Sequence, residues 1–342
     1  MKTIKSLIIA SLLLSVIQLV HGQSEIDTYL QIGATDGQKY ISHYTRPLFE
    51  AVGFGFTSGW YNTAEAHQPL GFDITIMGNV VFIPRAEKTF LFKNSEYRKL
   101  TTSSGQNEKL SSIFGPQSKN ERPELTIKDQ NDEVLARITS PPGMINLKRE
   151  IGVDAVPLPM VQLGLGVFRG TDLKFRYLPK LHFSNETSVS MFGLGIQHDI
   201  GQWFRRLRVY DISFAVLGAF NGLTASTDLS YNQEGTEDNR GEFKMNGINL
   251  QMIASKKYVE VLTVFGGFGY SRSGSRIQIL GSYPVDSQYD PIPEDPIDLK
   301  NGNSSLNFTA GLTLKLAVFT LSVAHTVQDY QVTTATFGIS VR

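Results

Sequence analysis

The sequence predicts an all-β fold, a transmembrane antiparallel β-barrel of about 10–14 strands with a helical segment ahead of it. Three observations carry this. A period-2 alternation of apolar with small or polar residues runs through most of the chain, while helix-period spacing is scarce. Many alternating segments are about 9–11 residues long, the length a tilted strand needs to cross a bilayer. The chain opens on an export signal and contains no cysteine.

Residues 1–22 read as a cleaved signal peptide. Lys2 and Lys5 form a positive start, Leu7–Val20 an apolar stretch, and Val20-His21-Gly22 a cleavage site before Gln23. Fourteen residues rise only about 21 Å as a helix, short of a hydrocarbon core of roughly 30 Å. Segment 23–51 follows. Tyr40, Ile41, Tyr44, Leu48 and Phe49 at rough i, i+3/i+4 spacing predict a helix within 24–51, with Thr35 or Asp36 as cap and Pro47 as a kink or stop. That helix would pack on the periplasmic rim or plug the lumen. Tyr40, Tyr44, Leu48 and Phe49 are the candidate plug residues.

The barrel is expected over 52–342. A weak strand fits 52–61, where Phe54, Phe56 and Trp60 alternate with Gly53, Gly55 and Gly59. Phe72, Ile74 and Ile76 alternate with Asp73 and Thr75. Residues 84–155 form a polar insert far longer than an ordinary loop, with one hairpin around Asp129–Asp132. Alternation resumes at 161–167, 172–177, 188–198, 210–220, 223–231, 246–254, 258–271, 306–316, 319–323 and 335–341. Asn221-Gly222, Ser255–Lys257 and Ala317-Val318 read as short periplasmic turns. The acidic stretches within 232–244 and 272–303 read as outer loops. Arg169–Thr171 is also tight, yet falls on the wrong side in this count, so a strand is merged, split or absent.

Alternation alone does not separate a membrane barrel from a soluble sandwich. The second face is dominated by Gly, Ser, Thr and Asn, as suits a lumen. Tyr177, Tyr210, Tyr231, Tyr258, Tyr270 and Tyr330 lie near strand ends, as an interfacial girdle requires. Asp73, Lys174, Arg176, Asp211, Asp228 and Lys315 fall on the polar face and are the candidate lumen-lining charges.

Several stretches resemble an uncharacterised family of outer-membrane β-barrel proteins from Bacteroidota, a domain of unknown function. They are Ser58–Ala64 with Gly71-Phe72-Asp73, Pro157–Gln162, Arg169–Asp172 with Arg176–Pro179, Gly281–Pro284 with Asp295-Pro296-Ile297, and Tyr330–Arg342. A looser similarity, resting on 24–64, is to fatty-acid-transporter barrels with an N-terminal hatch. The resemblance implies an outer-membrane location and no known activity.

Composition narrows the function classes. Lys+Arg and Asp+Glu both number 32, so a nucleic-acid partner is not expected. Without Lys2 and Lys5 the mature chain has 30 basic and 32 acidic residues. Absent cysteine excludes thiolate metal sites and a cysteine nucleophile. No zincin, P-loop or nucleophile-elbow motif occurs, so no catalytic, cofactor or metal residues are assigned and no enzyme is expected. The acidic cluster 286–298 reads as a solvated loop rather than a Ca²⁺ site. The expected protein is a monomeric outer-membrane pore or transporter for small molecules, hydrophobic ones included, with outer-membrane lipid as partner and an unknown small-molecule cargo. The alternative is a structural or binding protein presenting extracellular loops without transport.

Overall fold

The computed structural model describes residues 34–129, 132–182, 187–203, 210–228, 239–281, 295 and 297–341. The signal segment, Tyr231 and most of the acidic cluster at 286–298 lie outside these residues. A helix α1 (Ala34–Thr57) leads to β1 (Phe72–Phe82). Five short strands follow: β2 (Thr89–Phe92), β3 (Leu100–Thr102), β4 (Glu108–Ser111), β5 (Glu124–Lys128) and β6 (Val134–Thr139), then a short helix α2 (Leu147–Ile151). Nine longer strands complete the chain: β7 (Ala155–Phe168), β8 (Thr171–His182), β9 (Thr187–Asp199), β10 (Ile212–Asp228), β11 (Arg240–Val259), β12 (Leu262–Leu280), β13 (Ile297–Leu316), β14 (Phe319–Val327) and β15 (Val332–Val341).

β1 and β7 to β15 close into a ten-stranded antiparallel barrel. β1 is the seam. It pairs with β15, Phe72 opposite Val341, and with β7, Phe82 opposite Ala155. One end carries the tight links 169–170, 260–261 and 317–318 and the link 200–211. This is the turn end. The other carries the insert 83–154 and the links 183–186, 229–239, 281–296 and 328–331, and is the cap end.

Alternation sorts the wall into two faces. On β1, Asp73, Thr75, Met77, Asn79 and Val81 point inward, while Phe72, Ile74 and Ile76 point outward. Ile248, Leu250, Met252, Phe268, Leu306, Phe308, Leu312, Leu321 and Phe337 continue an exposed outer apolar belt. In water such a belt would be an aggregation liability; against hydrocarbon it is the solvated face. β11, β12 and β13 are 19–20 residues long and outrun it. Toward the cap end their outward residues become Arg240, Glu242, Lys244, Arg272, Arg276, Asp298 and Lys300, a surface for water.

The insert is a folded cap. β2 pairs with β4, and β3, β5 and β6 form a small sheet containing the predicted hairpin. Phe90, Phe92, Leu100, Leu110, Ile113 and Leu125 join Tyr40, Tyr44, Leu48 and Phe49 of α1 in one buried core.

Several expectations are corrected. Asn221-Gly222 is not a turn but the middle of β10, where Asn221 pairs with Gly193 on one side and Gly247 on the other. A turn needs its flanking strands to pair with each other, and here both sides are already taken. Segments 210–220 and 223–231 therefore merge, which brings link 169–170 to the same end as 260–261 and 317–318. Ser255–Lys257 belong to β11, and the turn sits at 260–261. Residues 52–57 are helical, not a strand, and α1 runs through Pro47 without stopping. Tyr330 is not in the girdle. It is buried and stacks on Phe54, ring centroids 5.5 Å apart. Exposed Phe168, Trp203, Tyr210 and Tyr258 lie at the turn end instead.

Candidate functional site: a filled lumen and its vestibule

α1 starts at the cap end and runs down into the barrel. Its first turn is pinned by Asp36, whose Oδ2 accepts the backbone N–H groups of Arg98, Lys99 and Leu100 at 2.8, 2.7 and 3.3 Å. Tyr44 Oη donates to the Pro142 carbonyl at 2.7 Å, and Arg46 pairs with Glu87 at 2.8 Å. Lower down, Phe49 stacks on Phe243 of β11, centroids 5.2 Å apart. Gly53 and Gly55 let the helix backbone approach the wall. A Cβ at Gly53 would strike Ser273, and one at Gly55 would strike Leu158 and Val81.

The last carbonyls of a helix have no partners within it. Here the barrel supplies them. Asn79 of β1 donates to the carbonyls of Gly55 (2.6 Å) and Ser58 (3.2 Å). Asn249 of β11 donates to Thr57 O at 2.7 Å. Arg176 of β8 donates to Phe56 O at 3.1 Å and Ser58 O at 2.9 Å. The guanidinium is 0% exposed, also donates to Gln162 Oε1, and sits 3.9 Å from the centroid of the Trp60 ring. A cation at a helix C-terminus is favoured by the peptide dipoles.

Beyond α1 the chain crosses the remaining lumen as an irregular strap, residues 58–71. Trp60 is buried against Gly193 and Gly195, where an added Cβ would come within 3.2 and 2.9 Å of the ring. Wall side chains hold the strap's backbone: Gln162 to Trp60 O, Thr313 to Asn62 O, Gln197 to Thr63 O, and the Ala64 N–H to Ser255 Oγ. At the turn end Leu70 N–H donates to Gly166 O, and the chain reverses into β1. Helix and strap thus thread the barrel from end to end.

Two spaces remain. A polar cavity of about 20 Å³, beside Tyr61, Asn249, Gln251 and Asn307, has room for about one water. A vestibule of about 500 Å³ at the turn end is lined by Glu65, His67, Lys257, Lys315, Thr320 and Ser340, among others.

The candidate residues divide accordingly. Tyr40, Tyr44, Leu48 and Phe49 are buried in the core shared by α1 and the cap. Asp73, Lys174 and Arg176 point inward and are buried, and Lys315 lines the vestibule. Two do not line the lumen. Asp211 precedes β10 at the turn end, exposed, with φ +53°. Asp228 is exposed at the cap-end tip of β10, on the same side of the strand as Val216 and Phe220. Asp228 is misplaced because β10 reads as two strands in the sequence, and Asp211 because β10 begins only at Ile212.

Sequence reasoning missed one cluster. His67 on the strap gives its backbone N–H to Asp172 Oδ1 at 2.9 Å, and its Nδ1 lies 2.8 Å from Asp172 Oδ2. Its Nε2 lies 3.3 Å from Ser340 Oγ and 3.8 Å from Asp73 Oδ1. The strap, β1, β8 and β15 bring these residues together, and Asp172 and Ser340 lie 105 and 273 positions from His67, so no local motif signals them. Among the described residues no group of three His, Asp or Glu has the geometry for a metal.

Three solved outer-membrane barrels align with the chain. Ail, the attachment invasion locus protein of Yersinia pestis, is 10% identical, with 80% of this chain and 98% of Ail covered and a TM-score of 0.25. The translocator domain of autotransporter NalP from Neisseria meningitidis is 10% identical, covering 81% and 90%, TM-score 0.30. A Pseudomonas aeruginosa FadL homologue is 6% identical, covering 85% and 97%, TM-score 0.23. The likeness is one of fold, and closure of the barrel rests on the strand pairing above. No curated protein matches the chain. The family described as a family of unknown function (DUF6588) matches residues 1–341, and the chain belongs to that family.

Proposed function

We propose that this protein is a closed barrel of the bacterial outer membrane that presents a folded cap to a binding partner, and that it is not an open pore. Tight links mark the periplasmic side of such barrels and longer segments the outside, which orients the cap outward. The observation that carries the reading is the occupied lumen. Seven large apolar side chains of α1 are buried: Tyr40, Tyr44, Leu48, Phe49, Val52, Phe54 and Phe56. At about 1.5–3 kcal/mol each, their burial is worth on the order of 10–20 kcal/mol. Because the cap shares the core, helix and cap are held as one unit.

A second reading, transport through a rearranged plug, draws on the vestibule, a polar space of about 500 Å³ open toward the turn end. Its lining favours a small polar solute over the hydrophobic cargo that the sequence allowed. Planar-bilayer recording separates the two. The intact protein is expected to give no steady conductance, and deletion of 34–71, helix and strap together, is expected to open a channel. Steady conductance from the intact protein would overturn the closed-barrel reading. Silence of the intact protein, combined with solute uptake into vesicles that depends on it, would favour transport. Fractionation with outer membranes and heat-modifiable migration in detergent gels check the barrel itself.

A further inference from the structure

We propose that Ser340, His67 and Asp172 form a hydrolytic triad facing the vestibule, acting on short-chain carboxylic esters of small polar alcohols. The proposal stands on geometry and does not depend on the closed-barrel reading. Asp172 Oδ2, 2.8 Å from His67 Nδ1, holds the imidazole in the tautomer that carries its proton on Nδ1. Nε2 is then left as the acceptor, and Ser340 Oγ stands 3.3 Å from it. Resting triads are often this loose and tighten around substrate. The His67 backbone N–H, bonded to the other Asp172 oxygen, fixes the ring's base. A latch that merely tied the strap to the wall would need only His67 and Asp172. The hydroxyl lies on the opposite edge of the ring, and both it and His67 line the cavity.

The cavity carries charges of both signs: Lys257 and Lys315, with Glu65, Asp73 and Glu260. Asp73 Oδ1 lies 3.8 Å from Nε2. The volume of about 500 Å³ and the polar lining set the substrate class, a small ester arriving from the turn end.

In the first step Ser340 Oγ bonds to the ester carbonyl carbon and its proton passes to His67 Nε2. The C–O bond to the alcohol then breaks, and the alcohol leaves with the proton from Nε2. In the second step water attacks the acyl-serine and gives a proton to Nε2. The carboxylic acid departs and the proton returns to Oγ. Two protons move in and out, and no other reactant is required.

The test uses the full chain in detergent, with a fluorophosphonate probe and p-nitrophenyl acetate. The probe is expected to label Ser340, located by peptide mass. S340A should lose the label and at least about 10³-fold of the hydrolysis rate, and D172N should lose a comparable factor. Each should keep heat-modifiable migration, and S322A, a control in another luminal hydrogen bond, should label normally. A wild-type protein unlabelled at Ser340, or an S340A variant as fast as wild type, would overturn the proposal.

Discussion

A charge removed from water normally keeps a counter-charge beside it. Arg176 has carbonyls instead, those of Phe56 and Ser58, together with Gln162 Oε1 and the face of Trp60. The rigid fork of the guanidinium reaches two carbonyls and a ring at once, which a lysine ammonium does not. Arg176→Met would leave the Phe56 carbonyl without this donor, at about 1–3 kcal/mol, while Ser58 O would keep only Asn79. The expected outcome is a lower thermal midpoint for the heat-modifiable transition, with Arg176→Lys recovering only part of the loss. An unchanged midpoint in Arg176→Met would mean that the helix terminus is held by Asn79 and Asn249 alone. In the sequence Arg176 is legible as an inward-facing charge, since it alternates with Phe175 and Tyr177. Its partners are not legible, because they come from a segment 118–120 residues away.

At the scale of elements, the helix–cap junction carries a pH dependence. The ring of His43 on α1 stacks on Phe90 of β2, centroids 5.7 Å apart. Burial lowers its pKa below the ordinary 6.5, opposed by Glu96 and reinforced by Arg46, Lys39 and Lys93. A lowered histidine pKa means that the fold prefers the neutral ring. Its contribution is present above about pH 6.5 and is lost as pH falls through the lower folded value. Glu50, raised mainly by burial although Arg46 opposes it, acts with the opposite sign: its contribution is present at acid pH and fades as pH rises. Protection factors along α1, taken relative to the intrinsic exchange rate at each pH, should therefore fall on moving from pH 7.5 toward pH 5.5, and His43→Phe should flatten that change. An equal fall in the variant would assign the effect elsewhere. Most of the wall was readable because outward residues meet one uniform solvent, so apolar spacing alone reports them. β10 was misread because Asn221-Gly222 carries a turn signature, and only lateral pairing with β9 and β11 shows that no turn is needed. The glycines at 53 and 55 imitated a strand because a helix pressed against a wall also needs small residues.

Over the whole molecule, the placement of α1 can be checked by cross-linking, since the chain has no cysteine to compete. A Cβ built at Gly53 lies 3.1 Å from Ser273 Cβ, against the roughly 3.5–4.5 Å of a disulfide. Gly53→Cys with Ser273→Cys, oxidised in membranes, should join helix to wall and slow the mobility shift on heating until a reductant is added. Failure to form the bond in the membrane-inserted protein would contradict a luminal helix.

The strap has a consequence for how such a molecule is made. Eight strands leave an interior that wall side chains can fill, while ten leave more space. Here inward Gly193, Gly195 and Gly247 are shaped to Trp60 and Thr57. The strap leads directly into β1, whose pairing with β15 joins the two extremes of the barrel. The helix and strap therefore occupy the space that ten strands would otherwise leave open, and the pairing of β1 with β15 closes the wall around them.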